Sequence, residues 1–198
     1  FYTTSKAFQK QSGGGADIIL VKFNALGQNV VYSTYIGGSG DELYYSGFIY
    51  NSNVRVAANV REEPIVCGIT RSNNFPVTTD ALMTSNPSSV GSTWWNTAAT
   101  IAKLDYKGEK LLYGTYYGGS NYEVPGANKL KRISCYTNIL YGGFTSSSDY
   151  PTTTGAYKES KSSSTTGFFW TGFISKFRDT LYTDLISLSL QDTIIECD

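Results

Sequence analysis

Val30 to Gly38 reads VVYSTYIGG, and Leu111 to Gly119 reads LLYGTYYGG. Each is a run of β-branched, aromatic and apolar residues closed by two glycines, the pattern of a strand that ends in a tight turn. Their shared spacing marks the chain as a set of repeats, and the rest of the sequence aligns to that frame.

Upstream of each stretch lies another strand signal: DIILVKFN (Asp17 to Asn24), AATIAKLD (Ala98 to Asp105) and, in a third copy, TGFISKFR (Thr171 to Arg178). Lys22, Lys103 and Lys176 hold the same place in all three. A role that recurs in every copy is structural, and the expected one is an exposed strand position with its stem over apolar neighbours. NALGQN (Asn24 to Asn29) and DYKGE (Asp105 to Glu109) read as hairpin turns built around a glycine. The third hairpin is shorter, with six steps from Lys176 to Tyr182 against ten from Lys103 to Tyr113, and it lacks the Gly-Gly.

The connectors repeat as well. FYTTSKAFQ (Phe1 to Gln9), FPVTTDALM (Phe75 to Met83) and YPTTTGAYK (Tyr150 to Lys158) lie 74 and 75 residues apart and predict an extended link ending in a short turn. A Ser/Gly-rich loop follows each. Two further strands are predicted per period, over Val54 to Val60 with Pro64 to Thr70, and over Lys131 to Tyr136 with Ile139 to Thr145.

The expected fold is therefore all-β, with four antiparallel strands per repeat, the anatomy of a β-propeller blade. Phe1 to Gly38 makes half a blade, Asp41 to Gly119 one blade and Asn121 to Leu188 another. A propeller closes with about four to eight blades, so two and a half imply an incomplete ring, in a piece of a longer protein or one completed by another chain. Ser189 to Asp198 is expected to leave the repeat as a tail or the first strand of a following module.

Composition narrows the partners. Sixteen Lys+Arg balance sixteen Asp+Glu, which leaves no field to attract nucleic acid. No apolar run reaches the ~18 residues of a membrane span, and no cofactor is expected. Cys67, Cys135 and Cys197 are odd in number and far apart, which suits neither a disulfide framework nor a metal cluster; Cys67 and Cys135 read as buried small side chains. Without histidine the commonest general base and metal ligand are missing. Ser5-Lys6 and Ser160-Lys161 sit in loops that offer no nucleophile elbow.

Taken together, ADIILVKFNALGQNVVYSTYIGGSGDE, the strand ends GIT and GFT, LYGTYYGG and YPTTTGAY resemble the bacterial SBBP repeats of seven-bladed β-propellers, over nearly the whole chain. Arg61-Glu62-Glu63-Pro64, the insertion-like GFIYNSN (Gly47 to Asn53) and the last hairpin depart from that pattern. The resemblance implies a non-enzymatic envelope or secreted protein of the Bacteroidetes type, at the outer-membrane surface, outside the cell or in the periplasm. It also implies a protein partner in a larger complex, with gliding or the type IX export system as accessory subunit or cargo.

Two features bear on a site. Trp94, Trp95, Phe168, Phe169 and Trp170 precede the same strand in successive copies and offer either packing between repeats or a surface for a protein or glycan; the glycan option makes a carbohydrate-binding or carbohydrate-active protein the alternative function. Asp41 and Glu42, with Ser39, offer oxygens to calcium, but such a site wants about six to eight ligands. The next copy reads Asn121-Tyr122-Glu123, so a solvated loop is expected.

Overall fold

A computed structural model describes residues 1–45, 50–51, 54–59, 61–88, 97–121, 123–133, 136–160, 171–180 and 189–192. They form antiparallel sheets without a helix. A first hairpin pairs β1 (Ile18–Phe23) with β2 (Val30–Ile36). A two-stranded ribbon follows, β3 (Tyr44–Tyr45) with β4 (Tyr50–Asn51). The middle sheet runs in chain order through β5 (Arg55–Ala58), β6 (Pro64–Thr70), β7 (Ala98–Leu104) and β8 (Leu111–Tyr117). The last sheet does the same through β9 (Glu123–Ile133), β10 (Tyr136–Thr145), β11 (Thr171–Thr180) and β12 (Ser189–Asp192).

The repeated turns are built from the residues that announced them. Asn24 Oδ1 accepts from the amides of Gln28 and Asn29, and Asp105 Oδ1 accepts from those of Glu109 and Lys110. In both hairpins the glycine carries positive φ, 69° at Gly27 and 68° at Gly108. In the connectors the amides of Ala7, Ala81 and Ala156 bond the carbonyls of Thr4, Thr78 and Thr153 at 3.0, 3.1 and 3.0 Å, one tight turn used three times.

The centre of the middle sheet is buried on both faces, as the unbroken burial of β6 and β7 shows. Alternation along the strands sends Val66, Ala98, Ala102 and Tyr116 toward the first hairpin, where they pack with Ile18, Leu20, Tyr32 and Ile36. The opposite set, Ile65, Cys67, Ala99, Ile101, Tyr113 and Tyr117, packs with Ile139, Tyr141, Tyr150, Phe173 and Phe177 of the last repeat. Tyr117 is the hub of that second core, meeting Phe177 edge-on at a 5.0 Å ring separation and Tyr150 at 5.4 Å. Its hydroxyl lies 3.1 Å from Ser175 Oγ, and the Tyr141 hydroxyl donates to the Gly68 carbonyl at 3.4 Å, so polar ties cross between the sheets too.

Two expectations change. Lys103 is not an exposed strand lysine: it is buried and ion-paired to Glu63 at 2.9 Å. The departure at Arg61 to Pro64 supplies that partner. Asn59 Oδ1 caps the turn by accepting from the amides of Arg61 and Glu63, Glu62 adopts φ 60°, and the two glutamates diverge. Glu62 reaches back to Lys22 of the first hairpin, while Glu63 turns to Lys103 of its own sheet. Ser189–Asp192, set outside the repeat by its sequence, pairs antiparallel with β11, Leu190 opposite Phe177. The described strands form no closed ring.

Candidate functional site

The most perturbed carboxyl groups sit just past the two Gly-Gly turns. Glu42 and Glu123 are only 2% and 0% exposed, which replaces the solvated loop expected there. Glu42 Oε1 accepts from Ser72 Oγ at 2.6 Å and Thr70 Oγ1 at 2.7 Å. Glu123 Oε1 accepts from Ser147 Oγ at 2.7 Å, Thr145 Oγ1 at 3.1 Å and the Gly119 amide at 3.1 Å. The Thr-x-Ser pair that ends one strand thus grips the glutamate that follows the Gly-Gly.

The frame extends further in register. Asn74 Oδ1 accepts from the amide and hydroxyl of Ser39, and Asp149 Oδ1 does the same for Ser120. Ser72 Oγ takes the Gly40 amide and Ser147 Oγ takes that of Asn121. The amides of Glu42 and Glu123 bond the carbonyls of Ala16 and Thr97, the residues that lead into β1 and β7. Each frame ties the start of one sheet to a strand end in the next.

Burial pushes both acids up, Glu42 to about 7 and Glu123 to about 8, against hydrogen bonds that favour the charged form. At Glu42 a hydrogen bond with the Asp17 carboxyl raises it further. The second oxygens Glu42 Oε2, Asp17 Oδ1 and Glu123 Oε2 are buried without a protein donor, and Glu42 Oε2 and Asp17 Oδ1 both lie against Gly37. A proton on Glu42 removes the repulsion of a second buried carboxylate beside it. In the second frame Ala98 stands where the first has Asp17, so Glu123 lies in the drier setting alone.

Raised carboxyls in a cleft mark an acid or base, but structural networks shift them in the same way. Here they are enclosed by the turns they hold, and the hydrogen bonds of each Oε1 go to its own chain. Among the described residues no group of three or more acidic, Cys or His side chains could hold a metal, so calcium at Asp41 and Glu42 gains no support. Asp41 instead accepts from the Ala16 amide and pairs with Arg71 at 3.6 Å.

Trp94, Trp95, Phe168, Phe169 and Trp170 lie outside the described residues, as do Cys135, Cys197 and Lys161. Cys67 is a free thiol buried in the core between sheets, where desolvation raises it to about 12 and makes it inert. The glutamate frame was hidden by distance: Glu42 meets hydroxyls 28 and 30 residues away. The signal that finds it is the recurrence of Gly-Gly-Ser-x-x-Glu with a later Thr-x-Ser-x-Asn/Asp in both copies.

No protein-family model, curated protein or solved structure shows significant similarity to the chain.

Proposed function

We propose that this chain is a propeller-type repeat module of a bacterial cell-surface or secreted protein, serving as a non-enzymatic scaffold for protein interaction. The observation that carries the reading is the duplicated frame around Glu42 and Glu123. The groups best suited by their shifted acidity to do chemistry are buried, and they brace successive sheets in the same way. Face-to-face stacking of the sheets through Tyr-rich cores supports the same view, since repeat arrays gain rigidity from each neighbour and present loops to partners. The likeness to SBBP repeats supplies the surface or secreted setting.

Cross-linking of the native protein on intact cells, followed by mass spectrometry, tests the reading. A stoichiometric protein partner cross-linked to lysines of the loops and sheet edges supports a scaffold. Reducing-sugar release from a glycan panel, abolished by Glu123→Gln, overturns it in favour of an enzyme.

A further inference from the structure

The turn from β5 to β6 gathers an amine, a carboxylate and a carboxamide out of water. Asn59 is 4% and Lys103 6% exposed, and the Glu63 side chain between them is 12% exposed. One oxygen meets both neighbours: Glu63 Oε2 lies 2.9 Å from Lys103 Nζ and accepts from Asn59 Nδ2 at 2.7 Å. The other end of the carboxamide is held as firmly. Asn59 Oδ1 accepts from the amide of Arg61 at 2.9 Å and from that of Glu63 at 3.1 Å. Lys103 stands opposite Ile65 on β6 and Tyr113 on β8, both core residues, so its stem crosses apolar ground.

A lysine ion pair needs no carboxamide, and the first hairpin shows the plainer form. Lys22, at the same place in its strand, pairs with Glu62, whose side chain is 71% exposed. Around Lys103 the parts are instead those of an acyl transfer. There is a nucleophile, a proton carrier, a leaving group bonded to that carrier, and two backbone N–H donors on the carbonyl oxygen.

We propose that the folded chain joins Lys103 Nζ to Asn59 Cγ in an isopeptide bond, with Glu63 carrying the protons. Lys103 passes a proton to Glu63 Oε2, and the neutral amine swings from that oxygen onto the carboxamide carbon. The tetrahedral centre so formed puts its negative oxygen on the Arg61 and Glu63 amides, the donors that Oδ1 already has. The Cγ–Nδ2 bond then breaks. Nδ2 leaves with its own two hydrogens, one from the attacking nitrogen and the one held by Glu63, so ammonium departs and the carboxylate is restored. Nothing else is consumed. The bond ties the β5–β6 turn to β7 and closes a loop over residues 59 to 103, a covalent constraint on the unfolded chain. It is independent of what the module binds.

Mass spectrometry on the folded chain tests the proposal. Wild type should weigh one ammonia less than its sequence, and its tryptic digest should hold a branched peptide joining the segment with Asn59 to the segment with Lys103. Lys103→Arg keeps the positive charge beside Glu63 but is no nucleophile, so it should keep the full mass and give no branched peptide. Glu63→Gln retains both reacting groups and should form the bond about 100-fold more slowly or worse after refolding. A wild-type chain at its full sequence mass overturns the proposal. So does loss of ammonia without the branched peptide, the mark of an asparagine cyclising on its own backbone, and so does a bond that forms as fast in Glu63→Gln. Should either variant fail to fold, the wild-type digest decides alone.

Discussion

Glu42 Oε2 and Asp17 Oδ1 are buried carboxyl oxygens without a protein donor, both set against Gly37, and burial together with the Asp17 carboxyl raises Glu42 so that the fold holds a proton on it where the unfolded chain would release it. The folded state binds more protons than the unfolded one from about pH 4.5, the ordinary value, up to about 7 at Glu42 and about 8 at Glu123. Over that window stability falls as pH rises, and it levels off above. On the acid side Glu63 and Asp149 act oppositely. Burial raises Glu63, but hydrogen bonds from Lys103 and Asn59 and the nearby cations outweigh it, and the Ser120 amide and hydroxyl lower Asp149. Their contribution is lost as pH drops below the ordinary carboxylate range. Thermal melts across pH should therefore peak in mildly acid solution, and a Tm that climbs steadily through pH 8 would refute protonated Glu42 and Glu123 in the fold.

Glu42→Gln separates the proton from the charge. A glutamine keeps the acceptor for Ser72 and Thr70 and supplies an N–H to Asp17, so it copies the protonated acid. The variant should melt close to wild type at pH 5 and above it at pH 8, the gap being at most a few kcal/mol at ~1.4 kcal/mol per pKa unit. Glu42→Ala leaves both hydroxyls without their acceptor and should cost about 1–3 kcal/mol at either pH. Chemical denaturation of the three proteins at two pH values decides it.

The adjacent glutamates of the Asn59 turn should behave differently. Glu63→Ala removes the carboxylate from a buried Lys103 and should destabilise by about 3–5 kcal/mol. Glu62→Ala removes an exposed partner of Lys22, and its effect should be small and vanish in high salt. Equal losses at the two positions would mean that the turn, not the buried pair, carries the energy.

The two hairpin glycines test repeat equivalence against local packing. Gly27 and Gly108 share positive φ, but a methyl at Gly27 meets open space whereas one at Gly108 runs into the Tyr32 ring. Gly27→Ala should cost only the backbone strain of about 1–2 kcal/mol. Gly108→Ala should cost clearly more, as the ring must move out of the core. Matched urea titrations of the pair would show this, and a milder Gly108 variant would place Tyr32 wrongly.

Local chemistry made the strands and turns legible. Runs such as IVCGIT and LLYGTYY alternate or stay apolar over strand lengths, and Asn24, Gly27, Asp105 and Gly108 announce their hairpins by residue type alone. What stayed hidden depends on partners far along the chain. Glu42 and Glu123 look like solvated acids until Ser72 and Ser147 fold over them, and Lys103 looks like a surface lysine until the Glu63 turn reaches it. The pairing of Leu190 with Phe177 follows β11, whose register is set by β10, and no motif in Ser189–Asp192 signals it.

Amide hydrogen exchange, followed residue by residue on the native chain, tests the stacked arrangement most directly. With β6 and β7 covered on both faces, the protein should protect Ile65 to Thr70 and Ala98 to Leu104 most strongly. Ile18 to Phe23, open on one side, should exchange markedly faster. Protection of the first hairpin equal to or above that of β6 and β7 in the monomer would contradict the account.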